Sequence, residues 1–361
     1  MPKTLSSVIS KNTKNALSNL SWQIENIALL LNKYLDFLEL ENGKISGVSE
    51  ISLVKTISYL PLIKDDEVFN VAIKKVFKDL GKKYDRNFLD RLEKGIEAYR
   101  EVLKTKIYSQ INQYIERQKN IQNSIADTNM KFKTSSRLIV GLGSSSVLET
   151  SIKLHHIYGV PYIPASAIKG VLRAYKIWKL VNWDSFKYFI VENLIENYQS
   201  DKFNQQKEQF IGKIQDGNFD NKFKEIDKDL SKEELETKKQ KLIGFINSIS
   251  QKEIEKIVQI FGNQQQKGKL IILDAYPINF EGFDVDIMNP HFPDYYDKGE
   301  PPADWQNPTP ITFLAVPTGT EFNFYFKNTQ VYDGNLKKDL QKAFENIGIG
   351  AKTTLGYGIL E

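Results

Sequence analysis

The chain has 361 residues, of which 41% are hydrophobic and 26% are charged, with a formal net charge of +4 and no cysteine. That hydrophobic fraction is enough for a globular core in one large domain or two ordinary ones. The absence of cysteine excludes a disulfide framework, cysteine-ligated zinc and thiol catalysis. The N-terminal segment lacks a hydrophobic signal core, and no run approaches the roughly 20 apolar residues that span a bilayer, so we expect a cytoplasmic protein without membrane contact.

Residues 1–130 are predicted to form a helical N-terminal extension. Apolar side chains recur three or four positions apart between residues 24 and 38 and again between 89 and 115, which is the spacing of one helix face. Gly43, Gly47, Pro61 and Gly81 are typical of breaks between helices. No catalytic set of residues stands out here, and we expect this part to pack against the rest of the chain or against a neighbouring subunit.

The next region opens with a predicted strand at 138–140, a glycine turn and a second extended piece at 151–158. Strand alternation in that piece places His156 with apolar neighbours and His155 on the same face as Lys153. We therefore expect His156 to be buried, and His155 to be the better candidate for contacting a nucleic acid.

A helix is predicted to follow, with Ser166 as its N-cap after Pro161 and Pro164. Lys169 falls in its first turn, where the helix dipole disfavours a cation unless an anion is bound nearby. Together with Arg173 and Lys176 on the same face, the free N–H groups predict a phosphate-binding corner. The alternative is an ordinary solvated basic face.

Charge is concentrated around this helix. Between Lys131 and Lys179 there are eight lysines or arginines and a single acid, Glu149, although the whole chain carries only +4. A local excess of this kind is typical of a surface that meets a polyanion.

The remaining elements alternate between helical and extended patterns. Residues from about 184 to 258 are predicted to be a charged helical insertion, followed by a buried strand at 270–273. The segment 284–310 is predicted to be a long irregular loop, whose aromatic residues could stack on bases or could cover the core: His291, Phe292, Tyr295, Tyr296 and Trp305. A hairpin that turns at 318–319, a helix at 335–346 and a last strand at 358–360 complete the chain.

The glycine-rich stretch before that last strand reads GIGAKTTLGYG. It is not a nucleotide P-loop, because Ala351 stands where that motif needs glycine and too few residues follow Thr353 to form the required helix. Its glycines would allow the backbone to approach a ligand closely, with Lys352 adding charge. Its hydroxyl groups could donate to phosphate or to a ribose 2′-hydroxyl, and Tyr357 could stack. A plain tight turn is the alternative.

Four separated stretches resemble the RAMP superfamily of CRISPR-associated RNA-binding proteins, and within it a subunit of type III-B (Cmr) effector complexes. They are GLGSSSVLETSIKLHHIYGVPYIPASAIKGVLR from Gly141, the glycine-rich loop 348–358, ENIALLLNKY at 25–34, and the run 286–310. One departure is Ala165, where many relatives have glycine before the serine. This makes the turn less permissive without removing the cap.

The resemblance implies an α+β fold: a ferredoxin-like RAMP domain at 131–361 that carries the insertion, with the N-terminal helical extension. It implies a non-catalytic RNA-binding structural subunit that caps the 3′ end region of the guide RNA and contacts guide and target backbones. The implied partners are guide RNA, target RNA and other Cmr subunits, with no cofactor and no metal. The expected RNA-binding residues are Arg137, Lys153, His155, Ser166, Lys169, Arg173, Lys176, Gly348, Gly350, Lys352, Thr353, Thr354, Gly356 and Tyr357.

Three other functions stay open at this stage. A RAMP endoribonuclease would need a base for the 2′-hydroxyl and an acid for the leaving oxygen, roles that His155 with Lys153 or Tyr158 could fill. Metal-dependent cleavage of target RNA would instead draw on the loop acids Asp294, Asp297 or Asp304. A protein-interaction scaffold without RNA contact is the third possibility.

Overall fold

A computed structural model describes residues 40–41, 44–45, 59–81, 86–143, 150–288, 299, 301 and 311–361. Ten helices and eight strands lie within these ranges, numbered here in chain order. The helices are α1 (Asp66–Leu80), α2 (Arg86–Val102), α3 (Tyr108–Ile125), α4 (Ala165–Leu180), α5 (Ser185–Glu196), α6 (Phe203–Gln215), α7 (Asp220–Ile226), α8 (Lys232–Ser248), α9 (Gln251–Phe261) and α10 (Leu336–Asn346). The strands are β1 (Leu40–Glu41), β2 (Lys44–Ile45), β3 (Thr128–Lys133), β4 (Ile271–Ile272), β5 (Tyr276–Pro277), β6 (Asp284–Met288), β7 (Ile311–Ala315) and β8 (Glu321–Lys327). Short 3-10 turns lie at Leu60–Leu62, Ser200–Lys202, Thr329–Val331 and Thr353–Leu355.

The helices predicted in the N-terminal part are present between residues 66 and 125, whereas residues 40–41 and 44–45 form the short paired strands β1 and β2. A π-helical turn at Leu103–Ile107 joins α2 to α3, and the apolar positions on this long helical stretch are buried as the spacing predicts. Asn112 of α3 accepts a hydrogen bond from the Phe280 N–H (2.8 Å) and donates one to its carbonyl (3.1 Å). The N-terminal helices therefore pack directly against the segment that follows β5.

Strand β8 is the centre of the main sheet. It pairs antiparallel with β3, β4 and β5, and Phe324 of β8 packs against Phe344 of α10 with ring centroids 5.2 Å apart. Phenylalanine alternates with other residues along this strand, but all residues from Phe322 to Phe326 are buried. Both faces of this strand are covered, so alternation in the sequence does not translate into a solvent-exposed face here.

The predicted hairpin between β7 and β8 is wrong. Strand β7 pairs with β6 in a separate two-stranded sheet, although the turn is present with Gly319 at a φ of +81°. The residues between the two strands are held by the segment after β3: the Thr134 hydroxyl donates to the Pro317 carbonyl (2.8 Å), and the Gly319 N–H donates to the Thr134 carbonyl (2.7 Å). These contacts direct β7 and β8 to different partners.

The other predicted strands are shorter than expected. Of residues 138–140, only Leu138 forms a β-bridge, with Val316, and near the C-terminus only Leu360 does, with Thr134. The buried strand predicted at 270–273 is the two-residue β4, and it is not buried: Ile271 is exposed and Ile272 is half-buried. The segment 284–288, predicted to be irregular, is strand β6.

The helices predicted at 184–258 are present as α5 to α8 and most of α9. Asp184 accepts hydrogen bonds from the first free N–H groups of α5, and Ser231 with Glu234 forms a capping box on α8. Apolar residues such as Ile190, Phe223 and Ile246 are fully buried and belong to the same core as the main sheet. These helices therefore share a core with the main sheet. None of the helices that the structure describes is long and apolar enough to cross a membrane.

Candidate nucleic-acid interface

Residues 137–140 connect the two sequence signatures through backbone hydrogen bonds. The Gly358 N–H donates to the Arg137 carbonyl (2.8 Å), and the Ala351 N–H donates to the Ile139 carbonyl (2.7 Å). The next carbonyl, that of Val140, accepts from the Lys153 N–H (2.6 Å). The glycine-rich loop and the segment leading to α4, more than 190 positions apart in the sequence, are thus held on one short stretch of chain, which we call the seam (137–140).

The glycines of the loop differ in what surrounds them. At Gly350 the φ is +96°, and an added Cβ would lie 2.2 Å from the Ile139 carbonyl oxygen; at Gly358 it would lie 1.9 Å from the Ile349 oxygen. The close neighbour at these two positions is the chain's own backbone, as the plain-turn alternative predicts. At Gly356 the φ is +88° and nothing lies within 4 Å of an added Cβ, so this glycine leaves space for a ligand. The loop also places Lys352 in the left-handed region, half-buried, and Thr354 at the surface.

Arg137, expected to bind RNA, is engaged by two carboxylates. Its Nε donates to Asp284 (3.0 Å) and its Nη1 donates to Asp286 (2.7 Å), both on β6. The Tyr357 hydroxyl donates to the same Asp286 oxygen (2.6 Å). Sequence reasoning missed these acids because it treated 284–288 as loop, although their period of two in DVDIM was the signal for a strand.

This network shifts the pKa values of Tyr357 and Asp286. Burial together with the hydrogen bond to Asp286 raises the pKa of the Tyr357 hydroxyl to about 12. Burial also tends to raise the pKa of Asp286, but hydrogen bonds from Tyr357, from the Ile287 N–H and from Arg137 outweigh it, and the net pKa lies below its ordinary 3.8. The carboxylate of Asp286 is therefore ionised at neutral pH and joins the seam to the glycine-rich loop.

We expect Asp286→Asn to destabilise the fold at neutral pH by about 1–3 kcal/mol, the cost of losing charge-assisted hydrogen bonds. Because the folded-state pKa of Asp286 is depressed, its contribution is present above 3.8 and is lost as pH falls through the lower folded value. Urea unfolding of the wild type and of Asp286→Asn, measured from neutral to acid pH, should show that the difference between their free energies of unfolding shrinks only below pH 3.8. A difference independent of pH would contradict this assignment.

The N-terminus of α4 is capped differently from the prediction. Pro164 is the last non-helical residue, and Ser166 lies inside the helix, exposed, with no side-chain cap. The Ala165 N–H donates instead to the Asp274 carboxylate (2.7 Å), which is brought there by backbone pairing of Ile163 with Ala275. A carboxylate from a distant segment thus satisfies one N–H that the phosphate-binding hypothesis had assigned to a ligand.

The predicted basic face of α4 is largely neutralised within the fold. Arg173 donates to Glu192 (3.1 Å) and Glu196 (2.8 Å) on α5. Lys176 lies 3.6 Å from Asp339 and donates to the Asp333 carbonyl. Lys169 is half-buried and makes no hydrogen bond or ion pair with any residue that the structure describes. Its charge is therefore available to a ligand, unlike the charges of Arg173 and Lys176.

The two adjacent histidines exchange their predicted environments. The extended piece ends at the bridge between Leu154 and Pro161, and residues 156–158 form a turn, which breaks the alternation on which the prediction depended. His156 is exposed, whereas His155 is half-buried and lies 5.1 Å from the Tyr114 ring, centroid to centroid. Burial, reinforced by the nearby His156, lowers the pKa of His155.

Several predicted features lie outside the described residues. They are the stretch 25–34, the loop aromatics between His291 and Trp305, and the loop acids Asp294, Asp297 and Asp304. Within the described ranges, no three or more His, Asp or Glu side chains are grouped so that they could hold a metal ion.

Comparison with known proteins identifies relatives along most of the chain. Residues 131–361 match the profile of the RAMP superfamily. The CRISPR system Cmr subunit Cmr6 of Pyrococcus furiosus is 36% identical over 294 residues, which cover 75% of this chain and 78% of that protein. The Cmr6 subunit of Saccharolobus solfataricus is 23% identical, covering 70% of this chain and 64% of that protein.

One solved structure has a similar sequence, although its coordinates superpose poorly on those of this chain. The crystal structure of Cmr6 from Pyrococcus furiosus is 32% identical and covers 66% of this chain and 98% of that chain, with a TM-score of 0.38. The profile match and the sequence identity carry the assignment without it. The chain belongs to the RAMP superfamily and is a homologue of the Cmr6 subunit of CRISPR Cmr systems.

Proposed function

We propose that this chain is an RNA-binding structural subunit of a type III-B CRISPR (Cmr) interference complex, which caps the 3′ end region of the guide RNA and contacts guide and target backbones. The observation that carries the proposal is the seam, where the glycine-rich loop and the basic segment before α4 meet. The homologues of this chain are named as Cmr subunits. Their names support the proposal that its partners are other Cmr subunits and that it is located in the cytoplasm.

The residues that we propose to contact RNA are fewer than those expected from the sequence. Lys153 is exposed, and Lys169 and Lys352 are half-buried; none of these three forms an ion pair with a described carboxylate. Thr353, Thr354 and Gly356 add hydroxyl and backbone donors beside Lys352. Lysines and backbone N–H groups bind phosphates without reading bases, which suits a subunit whose guide RNA supplies sequence specificity by base pairing.

The same proposal includes the domain organisation. Residues 131–361 would form the RAMP domain, of ferredoxin-like type, and 1–130 would be an extension that packs against it. The mixed helices and strands and the family match at 131–361 support this division. The hydrogen bond between Asn112 and the Phe280 N–H supports packing of the extension against the domain.

We expect replacement of Lys153, Lys169 and Lys352 by alanine to weaken RNA binding and to reduce the salt dependence of affinity. Each lost phosphate contact lowers the slope of log affinity against log salt by about 0.7–1. Fluorescence anisotropy with labelled guide RNA at several salt concentrations measures both quantities. The control removes three exposed lysines from the insertion, Lys222, Lys241 and Lys252; equal losses in both variants, or none in the first, would refute the proposed surface.

A second candidate is metal-independent cleavage of precursor guide RNA, because the structure does bring His155 and Tyr158 together with ring centroids 5.3 Å apart. Burial lowers the pKa of His155 and favours its neutral form, but the Ile157 N–H donates to its Nδ1 (3.3 Å), so acting as the base would require that hydrogen bond to break. Incubation with end-labelled precursor RNA in chelator tests it. Specific cleavage that His155→Ala abolishes would replace the structural proposal.

A further inference from the structure

Six aromatic rings gather beside the seam into what we call the tyrosine–histidine cluster: Tyr114, His155, His156, Tyr158, Tyr162 and Tyr276. Tyr114 and Tyr158 are stacked with centroids 3.7 Å apart, and Tyr162 stacks on Tyr276 at 5.7 Å. His155 lies between these pairs, 5.3 Å from Tyr158 and 6.5 Å from Tyr162. His156 stacks on His155 at 5.1 Å with the ring planes only 20° apart, so the stack runs from the core to an exposed imidazole.

The cluster is held rigidly. Tyr114 of α3 and Tyr276 of β5 are buried and anchor it on two separate elements. The turn that carries the histidines is closed by backbone hydrogen bonds, from the His155 N–H to the Val160 carbonyl (2.8 Å) and from the Gly159 N–H to the His155 carbonyl (2.7 Å). Rings fixed in this way lose little conformational freedom when a flat ligand binds.

The outer part of the cluster combines apolar surface with positive charge. Ile157, at the tip of the turn, is 56% exposed, and exposed Lys153 lies 6.0 Å from the Tyr162 ring. The negative charge of Asp274 tends to raise the pKa of His155, and its carboxylate accepts a hydrogen bond from the Ala165 N–H at the start of α4. A flat aromatic surface with a neighbouring cation is the chemistry that recognises a nucleotide: the rings stack on the base, and the cation attracts the phosphate.

Position links this surface to the proposed RNA path. Lys153 is bonded through its backbone to Val140 of the seam, and the Ser151 hydroxyl donates to the Gly141 carbonyl. The cluster and the glycine-rich loop are therefore joined to one short segment. We propose that the tyrosine–histidine cluster is a stacking site for one unpaired base of an RNA strand that the chain holds by its backbone; this inference rests on the proposed RNA-binding function.

The test compares two probes in fluorescence anisotropy: a short single-stranded oligoadenylate, and a ribose–phosphate chain of the same length without bases. The full chain should bind the oligoadenylate about tenfold more tightly, the effect typical of stacking one base on an aromatic residue. His156→Ala should remove most of that preference, and His156→Phe should keep it, because phenylalanine preserves the flat ring. Exposed residue His156 is chosen so that the buried tyrosines, and with them the fold, stay intact.

The controls separate failure of this inference from failure of the proposed function. Trp183→Ala removes an aromatic side chain that is 48% exposed elsewhere and should leave the preference unchanged. Equal loss from Trp183→Ala, or full preference in His156→Ala, overturns the stacking site. The variant that lacks Lys153, Lys169 and Lys352 should bind both probes more weakly, by the same factor. If wild type binds the two probes equally and the triple variant loses both, the stacking site fails while RNA binding stands; if wild type binds neither, both proposals fail.

Discussion

Gly350→Ala is expected to destabilise the fold by about 3 kcal/mol or more, the sum of backbone strain and overpacking. The φ of +96° disfavours any side chain, and the new Cβ would lie 2.2 Å from the Ile139 carbonyl oxygen and 3.2 Å from its carbon. Those atoms are backbone and cannot rotate away as a flexible side chain would. Ile139 is held besides by the pairing of Leu138 with Val316, so relief would require the glycine-rich loop to leave the seam.

Urea unfolding gives the difference in stability, and Gly356→Ala is the matched control. That glycine also has a positive φ, of +88°, but no atom lies within 4 Å of an added Cβ. We expect the control to lose only the cost of the unfavourable φ, about 1 kcal/mol. If the two variants unfold at the same urea concentration, close packing of the loop on the seam is not the reason for Gly350.

Asp339→Ala is expected to cost about 3–5 kcal/mol, because it leaves a poorly solvated charge without its carboxylate. The Asp339 side chain is 4% exposed, and it accepts hydrogen bonds from the Tyr332 hydroxyl (3.0 Å) and from Lys179 (3.0 Å). Lys176, 16% exposed, lies 3.6 Å away. Burial lowers the pKa of Lys176, and Asp339 acts against that shift, so removing the carboxylate favours the neutral amine.

Thermal or urea unfolding at several pH values checks this prediction. The penalty should shrink as pH rises towards the range where Lys176 loses its proton, since a neutral amine needs no counter-charge. Asp333→Ala is the control: it keeps the carbonyl that accepts from Lys176, and it removes a carboxylate that pairs with Lys256 where both side chains are about 60% exposed and that acts on Lys176 without a direct contact. Exposed pairs contribute little, so a change within about 0.5 kcal/mol is expected. Similar losses in the two variants would contradict the burial argument.

Predictions from sequence succeeded where the pattern reports on near neighbours. The spacing of apolar residues from Leu92 to Ile115 follows the helices that contain them, and the helix predicted at 335–346 is α10. They failed where a distant segment intervened. The histidines exchanged environments because Pro161 pairs back onto Leu154. Ser166 is not the cap because the carboxylate of Asp274, 109 positions from Ala165, accepts the hydrogen bond from the Ala165 N–H.

By itself the sequence determined the family, since the signature segments stand in the order that RAMP proteins share, and it located most helices and the glycine-rich loop, because capping, periodicity and glycine turns are local physics. Only the tertiary structure decided which cations remain available. Arg137, Arg173 and Lys176 look equivalent to Lys153, Lys169 and Lys352 in the sequence, yet the first three lie against carboxylates from β6, α5 and α10. Pairing of this kind depends on which elements pack together, and Coulomb attraction acts through space without regard to distance along the chain.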